Sequence, residues 1–556
     1  MTTDGNATGS GSTAIELDAI VVGAGFAGLY MLHRLRALGL SARVLERGDG
    51  IGGTWFWNCY PGARCDVESV EYSYSFSPEL EQEWNWTERY PRQPEIVDYI
   101  NYVADRFDLR RDIQLDTCVT AAHFDDTTLR WAIETDGGGR FSARYCIMAT
   151  GCLSARKRPD FDGLDSFAGD WYLTSAWPKE PVDFNGKRVA VVGTGSTGIQ
   201  AIPTIARQAA HVTVFQRTPN FSIPARNGPL ADDDQRRIKA NYAEYRQLAR
   251  ESPFGVRVEN AGEISALDLT AEEVRSDLAA RWELGGPFPI LFAYNDLITN
   301  KDSNDRVAEF VRDKIRETVN DPVTAEMLCP KDHPIGTKRL CVDTEYYETY
   351  NRDNVTLVDI KSTPIERITP AGIRTTEAEY EADIIAFAIG FDAVTGALLD
   401  IDIRGRNGLR LADKWANGPH TYLGIGIAGF PNLFTITGPG SPSVLSNMIL
   451  SIEQHVDWIA DCLVYMRDHE LGEIEATSEA EDRWVEHVAE LGDATLFPLA
   501  NSWYVGANVP GKPRVFLPYV GGFSAYVERC DQVAADDYEG FSFISLPQLA
   551  SPGRAG

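Results

Sequence analysis

The chain has 556 residues, enough for two or three domains. Apolar residues make up 44% and charged residues 24%, the balance of a soluble globular enzyme. With 52 basic against 81 acidic residues the net charge is -29, which disfavours nucleic acid and anionic membranes as partners and points to a small molecule.

Residues 1–14 are rich in Gly, Ser and Thr and lack the basic start and apolar stretch of a signal peptide, so a disordered tail is expected. Asp18 to Gly28 predicts a buried strand, a tight turn and a helix start. The helix runs to about Leu38, with Gly39 as its C-cap, and Ala42 to Glu46 is the next strand. Glu71 to Phe76 alternates aromatic and small polar residues, as a half-buried strand or an extended cofactor-flanking segment would. Arg188 to Gly198 repeats the order of strand, turn and helix start, and His211 to Gln216 is its following strand. From about Asp232 to Pro330 the texture becomes helical. Asp233 to Arg250 has helical spacing, Thr270 and Glu273 form a capping-box pattern, and Ser303 to Val319 is amphipathic. Strands resume at Asn354 to Asp359 and Asp383 to Gly390. Helices follow at Ser451 to Asp468 and Ala480 to Leu491, and Ser551 to Gly556 reads as a loose end. No apolar run is long enough to cross a bilayer. Nine cysteines without CxxC pairs fit reduced thiols in the cytoplasm, and eight histidines without ligand spacing argue against metal catalysis.

A lone GxGxxG is a weak signal, but here it occurs twice in the right context. Gly23, Gly25 and Gly28, then Gly193, Gly195 and Gly198, would serve the tight turn, the approach of a pyrophosphate and the close packing of helix on strand. Glu46 lies 23 positions after Gly23, where an acid binds an unphosphorylated ribose. Gln216 lies 23 positions after Gly193 and is followed by Arg217, which would pair with a 2′-phosphate. The first turn therefore suits FAD and the second NADPH.

Further motifs, in one order over Asp18 to about Phe543, resemble the flavin-dependent Baeyer–Villiger monooxygenases, among them the steroid and phenylacetone monooxygenases. Gly52 to Ser69 resembles the family's FAD-flanking loop, and Gly336 to Leu340, followed by Tyr346 to Val355, its catalytic arginine stretch. Cys146 to Gly151 and Ala386 to Gly390 resemble the crossings between the nucleotide domains. Thr437 to Ser443 and Asn501 to Tyr504 also match. The resemblance implies an α/β fold with two Rossmann-like dinucleotide-binding domains and an inserted helical domain. The FAD domain would comprise residues 15–155 and 386–545, the NADPH domain 156–225 and 331–385, and the helical insertion 226–330, with a C-terminal tail at 546–556. Around FAD it implies Phe26, Ala27, Thr54, Trp55, Phe56, Trp57, Asp66, Tyr72, Val119 and Met448 beside the first turn and Glu46. Around NADP(H) it implies Thr194, Ser196, Thr197, Gln200, Thr218, Lys338, Arg339 and Trp503 beside the second turn and Arg217.

The implied reaction turns a bulky hydrophobic ketone, with cyclic and steroid-like ones among the candidates, into an ester or lactone through a C4a-peroxyflavin formed from O2. Arg339 would be the cation that stabilises the peroxide anion, and Asp66 would orient it. Two unit charges 4 Å apart interact by about 4 kcal/mol at an effective dielectric of 20, or roughly three decades of rate. The loop around Ser441 to Leu445 and the helical insertion would shape the substrate pocket. A cytoplasmic monomer or weak homo-oligomer is expected.

Two positions depart from the family. The fingerprint FxGxxxHxxxWP appears as Phe167 to Pro178 with Leu173 in place of the histidine, in the stretch expected to link the two domains. Cys59 stands where many relatives have arginine. Three rivals follow. A flavoprotein disulfide reductase needs a cysteine pair just after Gly-Gly-Thr, where this chain has Trp55 and Tyr60. An N- or S-oxygenating relative would lack this form of the Trp55–Asp66 loop and of the Lys338–Arg339 pair. An uncoupled NADPH oxidase is favoured by Leu173 alone.

Overall fold

The computed structural model describes residues 14–258 and 260–545. Apart from Ala14, the two expected tails lie outside the described residues.

Strand β1 (Ile15–Val22) is exposed at its start and buried over Ala19–Val22, so its apolar end points into the molecule. Helix α1 (Phe26–Ala37) follows, then β2 (Ala42–Leu45), the short β3 (Ile113–Gln114), β4 (Val119–Asp125), β5 (Arg130–Thr135) and β6 (Arg140–Met148). Strands β6, β1, β2 and β3 lie side by side and parallel, while β4, β5 and β6 form an antiparallel meander. Two late strands complete this sheet: Asp402–Arg404 beside β4 and Leu433–Thr435 beside β6. One face packs on α1 and the helix Met448–Asp468, and the other forms a second core around Trp131, Phe124 and Phe430. Cover on both faces is what an apolar parallel run such as Ala19–Val22 requires.

The second sheet is parallel throughout. Its order is Val355–Asp359, β9 (His211–Gln216), β8 (Arg188–Val192), Ile384–Phe387 and β7 (Asp170–Leu173). It too has apolar cores on both faces. Leu173 is the last residue of edge strand β7, paired with Phe387 and packed in one of those cores. It therefore belongs to the second sheet and not to a linker.

The helical region departs from expectation in two ways. Asp233 to Arg250 is two helices, Asp232–Ala240 and Tyr242–Glu251, parted at Asn241. The Asn241 amide donates to the Arg237 carbonyl at 2.7 Å, a local bond that competes with helix continuation. The region also packs in two places. Ile238, Tyr242, Tyr245 and Val256 join the core of the first sheet, whereas Val274, Leu278, Trp282, Val307 and Val311 build a separate core. The Thr270 capping box is present: Thr270 accepts from the Glu273 N–H at 3.3 Å, and Glu273 accepts from the Thr270 N–H at 2.9 Å. Residues 71–76 form no strand.

Candidate functional site

The turn after β1 is shaped by Gly23, whose φ is 106° and where a side chain would stand 2.6 Å from the Ala149 carbonyl oxygen. Helix α1 then begins after Gly25 with no side-chain cap, so its first N–H groups remain for an outside acceptor. Glu46 is buried at the end of β2 and accepts from the N–H groups of Ala24 and Gly48, each at 2.8 Å. A fixed carboxylate beside open helix donors accepts a ribose hydroxyl and repels a further phosphate, so the turn fits FAD. Phe26, Ala27 and Gly28 are buried in the first turn of α1, with Phe26 edge-on to Tyr72 at 5.6 Å. Val119 is buried at the start of β4, close to Thr117, whose N–H donates to the Glu46 carbonyl at 2.8 Å.

The single helical turn Thr54–Trp57 is half-buried throughout. Trp55 donates its indole N–H to the Tyr72 hydroxyl at 3.0 Å, so these two expected FAD neighbours hold each other. Phe56 leans on Gly48, Gly50 and Gly52 and lies 3.4 Å below the Lys179 ammonium. Trp57 carries the guanidinium groups of Arg156 at 4.4 Å and Arg47 at 5.1 Å. No sequence pattern linked Trp57 to these two arginines, which come from separate segments.

The second turn repeats the first. Gly193 has φ 112°, and the helix Ser196–Ala206 starts after Gly195 without a side-chain cap. A side chain at Gly195 would meet nothing within 4 Å, which leaves room for a pyrophosphate. Thr194 donates to the Thr218 carbonyl at 3.0 Å, and Gly198 is buried against the turn. Gln216 is buried and donates to the Met327 carbonyl at 2.7 Å, so no carboxylate occupies the position that Glu46 holds in the first turn. A cavity of about 570 Å³ opens there, lined by Gln216, Arg217, Met327, Lys331, Asp332 and Lys361. Arg217 is exposed. Lys338 is half-buried. Burial holds its ammonium below the usual lysine value, Asp332 opposes that, and Arg217 and Lys361 reinforce it. Lys331 and Lys361 lie on the cavity wall, and only the closure of the chain brings them there.

Gln200 does not face that cavity. Its amide oxygen accepts from the Tyr60 hydroxyl at 2.7 Å and the Arg64 N–H at 3.3 Å, and its amide nitrogen donates to the Arg64 carbonyl at 3.0 Å. Thr197 lies against the same hydroxyl, and Ser196 meets the Cys341 thiol at 3.1 Å. The first turns of this helix are thus engaged with the 60–66 loop and the strand after Arg339.

Arg339 and Asp66, 273 positions apart, form a two-bond pair with distances of 2.8 and 2.6 Å. A third bond runs from Arg339 to the Val444 carbonyl at 2.8 Å. Burial alone would weaken the guanidinium charge, but the Asp66 carboxylate outweighs it and keeps Arg339 protonated. Tyr504 lies beside it, and burial pushes its hydroxyl up to about 12. On one side of the pair, Val444 and Tyr504, which touch Arg339, belong to an apolar cluster in which Met448, Leu445, Ile298 and Trp503 pack against Val444, Phe497, Tyr504 and Leu517. Trp503 lies 4.3 Å from Tyr504, ring centre to ring centre. The nine cysteines are free, and burial pushes the Cys65 thiol well above its ordinary value. Cys59 instead donates to the Trp177 carbonyl at 3.5 Å, fastening the loop to the end of the fingerprint segment.

A family model described as pyridine nucleotide-disulphide oxidoreductase matches residues 20–254, a span that includes both glycine turns. The acetone monooxygenase (methyl acetate-forming) of Gordonia sp. (strain TY-5) is 42% identical over 95% of this chain and 99% of its own. The phenazine N-monooxygenase of Lysobacter antibioticus is 41% identical over 96% of this chain and 98% of its own. A solved structure of an oxidised steroid monooxygenase bound to NADP is 53% identical, covers 96% of this chain and 100% of that one, and superposes with a TM-score of 0.91. The architecture of two dinucleotide-binding domains is the one these sheets build.

Proposed function

Because the chain belongs to the Baeyer–Villiger monooxygenases, NADPH-dependent flavoproteins that carry FAD, we propose that it oxidises a bulky hydrophobic ketone and that Arg339 is its catalytic cation. When bound, FAD reduced by NADPH activates O2, the chemistry that inserts oxygen beside a carbonyl. The observation that carries the reading is the two-bond Arg339–Asp66 pair beside an apolar cluster that Val444 and Tyr504 join to it.

Asp66 fixes the guanidinium in plane through two bonds, and the Val444 carbonyl takes a third N–H, so the positive charge is aimed before substrate arrives. Half-buried beside the apolar cluster, that charge is screened less than in bulk water and stabilises developing anionic oxygen more than it would there. Met448, Leu445 and Trp503, half-buried in that cluster, would keep water from the reacting groups once the cofactors are bound. In this reading Glu46 holds the FAD ribose, and Arg217 with Lys338 holds the 2′-phosphate of NADP(H). Thr54, Trp55 and Tyr72 flank the flavin, and Trp503 closes over NADP(H). The FAD domain comprises residues 15–155 and 386–545, the NADPH domain 156–225 and 331–385, and the helical block 226–330. A cytoplasmic monomer or weak homo-oligomer completes the proposal.

The test is product yield per NADPH consumed, over a panel from acetone to steroid ketones, for wild type and Arg339→Ala. Ester or lactone from the bulky members, lost by about three decades in the variant, supports the reading. An unchanged yield in Arg339→Ala would overturn the role of the arginine. A second reading, N-oxygenation of a heteroaromatic ring, is supported by the Lysobacter relative and is measured with phenazines in the same assay. Peroxide without any oxygenated product would instead support the uncoupled oxidase raised by Leu173.

A further inference from the structure

Gln200 closes a circuit that joins the phosphate-receiving helix to the catalytic cation. It lies in the helix Ser196–Ala206, whose open N-terminus faces the nucleotide turn. Its amide grips Arg64 in both directions, accepting from the N–H and donating to the carbonyl, while Tyr60 donates to the same amide oxygen. Gly62 brings the loop this close: at φ 81°, a side chain there would collide with the Gln200 carbonyl oxygen. On its far side the loop is anchored to the first domain. The Arg64 guanidinium holds Glu88 at 2.6 Å and the Tyr90 carbonyl at 2.7 Å. Two residues past Arg64, Asp66 grips Arg339. The return path runs from Arg339 through Cys341, whose thiol touches the Arg339 carbonyl at 3.4 Å and the Ser196 hydroxyl at 3.1 Å.

We propose that Gln200 is a positioning residue, and that its clasp on Tyr60 and Arg64 fixes the Asp66–Arg339 pair relative to the helix that receives the NADP(H) phosphates. This rests on the reading of Arg339 as the catalytic cation. It differs from a ligand role, because the three polar contacts of the Gln200 amide go to the 60–64 loop and leave the nucleotide to the uncapped N–H groups at Gly195 and beyond. The amide thereby ties the position of Asp66 to that of the helix. A sub-ångström error in a reacting group costs rate far more than it costs affinity.

The experiment uses the FAD-loaded protein and the variants Gln200→Met, Gln200→Glu and Tyr60→Phe. Three quantities are read without any ketone: NADP+ affinity by fluorescence titration, the single-turnover rate of flavin reduction by NADPH, and peroxide released per NADPH. For Gln200→Met we expect NADP+ affinity within about twofold of wild type and reduction slowed by about 10- to 100-fold. Gln200→Glu recovers part of the rate, because it still accepts from Tyr60 and Arg64 but cannot donate to the Arg64 carbonyl. Tyr60→Phe moves the same quantities in the same direction, and the double variant is no worse than Gln200→Met alone. NADP+ affinity falling in step with rate would make Gln200 a ligand and overturn the proposal. So would a lower melting temperature with the wild-type reduction rate. Absence of oxygenated products in wild type would sink the reading above while leaving these three measurements intact.

Discussion

Asp66 matters to Arg339 twice over, as a counter-charge and as a template for its plane. Asp66→Asn keeps the size and removes both functions, since one side of the amide presents N–H groups to the guanidinium. Breaking a half-buried pair on one side costs more than the pair contributes, roughly 3–5 kcal/mol where burial is complete and less here. We expect oxygenation to slow by about 100-fold in Asp66→Asn while NADP+ affinity changes little, a split that product yield and titration measure separately. Glu71, one residue before Tyr72, makes a different prediction. Burial raises its carboxyl from 4.5 to about 7, opposed by the Arg257 N–H that it accepts at 2.6 Å. The folded value lies above the unfolded one, so the stability present below pH 4.5 is lost as pH rises through about 7. Glu71→Gln keeps the acceptor and removes the charge, and melting curves should show it gaining about 1–3 kcal/mol on wild type between pH 4.5 and 8. Arg339 could be read from its neighbouring motif, and Glu46 from its spacing after Gly23. The Val444 carbonyl could not, because a backbone acceptor has no residue signature. The contacts of Gln200 with Tyr60 and Arg64 could not be read either, because position in a motif does not reveal which face of a helix a loop will cover.

At the level of elements, the 54–66 loop is the joint between the sheets, and Gly62 is where it fits most tightly. Gly62→Ala would impose a left-handed backbone on a side chain and press it into the Ser196–Ala206 helix. We expect a loss of about 1–3 kcal/mol in thermal unfolding, together with the slowed flavin reduction foreseen for the Gln200 variants. Leu173 belongs to a different element. Its neighbours lie in the apolar core of the second sheet, while the contacts that bridge to the FAD-flanking loop are those of Cys59, Gln200 and Lys179, which bonds the Phe56 carbonyl. Restoring the family residue with Leu173→His should therefore act on stability, lowering the melting temperature by putting a polar ring against that core, while product yield per NADPH changes by less than about twofold. The regular elements were legible wherever periodicity and caps agreed, as in β1, β8, β9 and the helix after Thr270. The Asp233–Arg250 run was not, because spacing alone cannot show that Asn241 bonds back to Arg237. The 71–76 segment alternates like a strand yet has no neighbouring strand to pair with.

Over the whole molecule the net charge of -29 sets the field that NADPH, itself an anion, must cross. Arg217, Lys331 and Lys361 line one cavity inside that repulsive field, and Lys338 is near enough to feel the charges of Arg217 and Lys361. Salt screens exposed charges beyond about 10 Å at 0.1 M, whereas attraction across the few ångströms between these cations and a bound phosphate is screened less. Raising ionic strength from about 10 to 150 mM should therefore speed flavin reduction at limiting NADPH, and more steeply in Lys338→Gln, with stopped-flow rates as the measure. The architecture as a whole was readable from two glycine turns in order, but not the late strands that finish the first sheet, since three-residue strands carry too little pattern. Those strands have a consequence for how the protein is born. The sheet opened by Ile15 is closed only when Leu433–Thr435 reaches β6, and the Met448–Asp468 helix must then cover α1. On the ribosome, the first nucleotide-binding half waits for more than three-quarters of the chain with a bare sheet flank and an uncovered apolar helix. A nascent chain stalled before residue 402 would be sticky and could not retain its flavin, so chaperone help during synthesis should raise the yield of active enzyme.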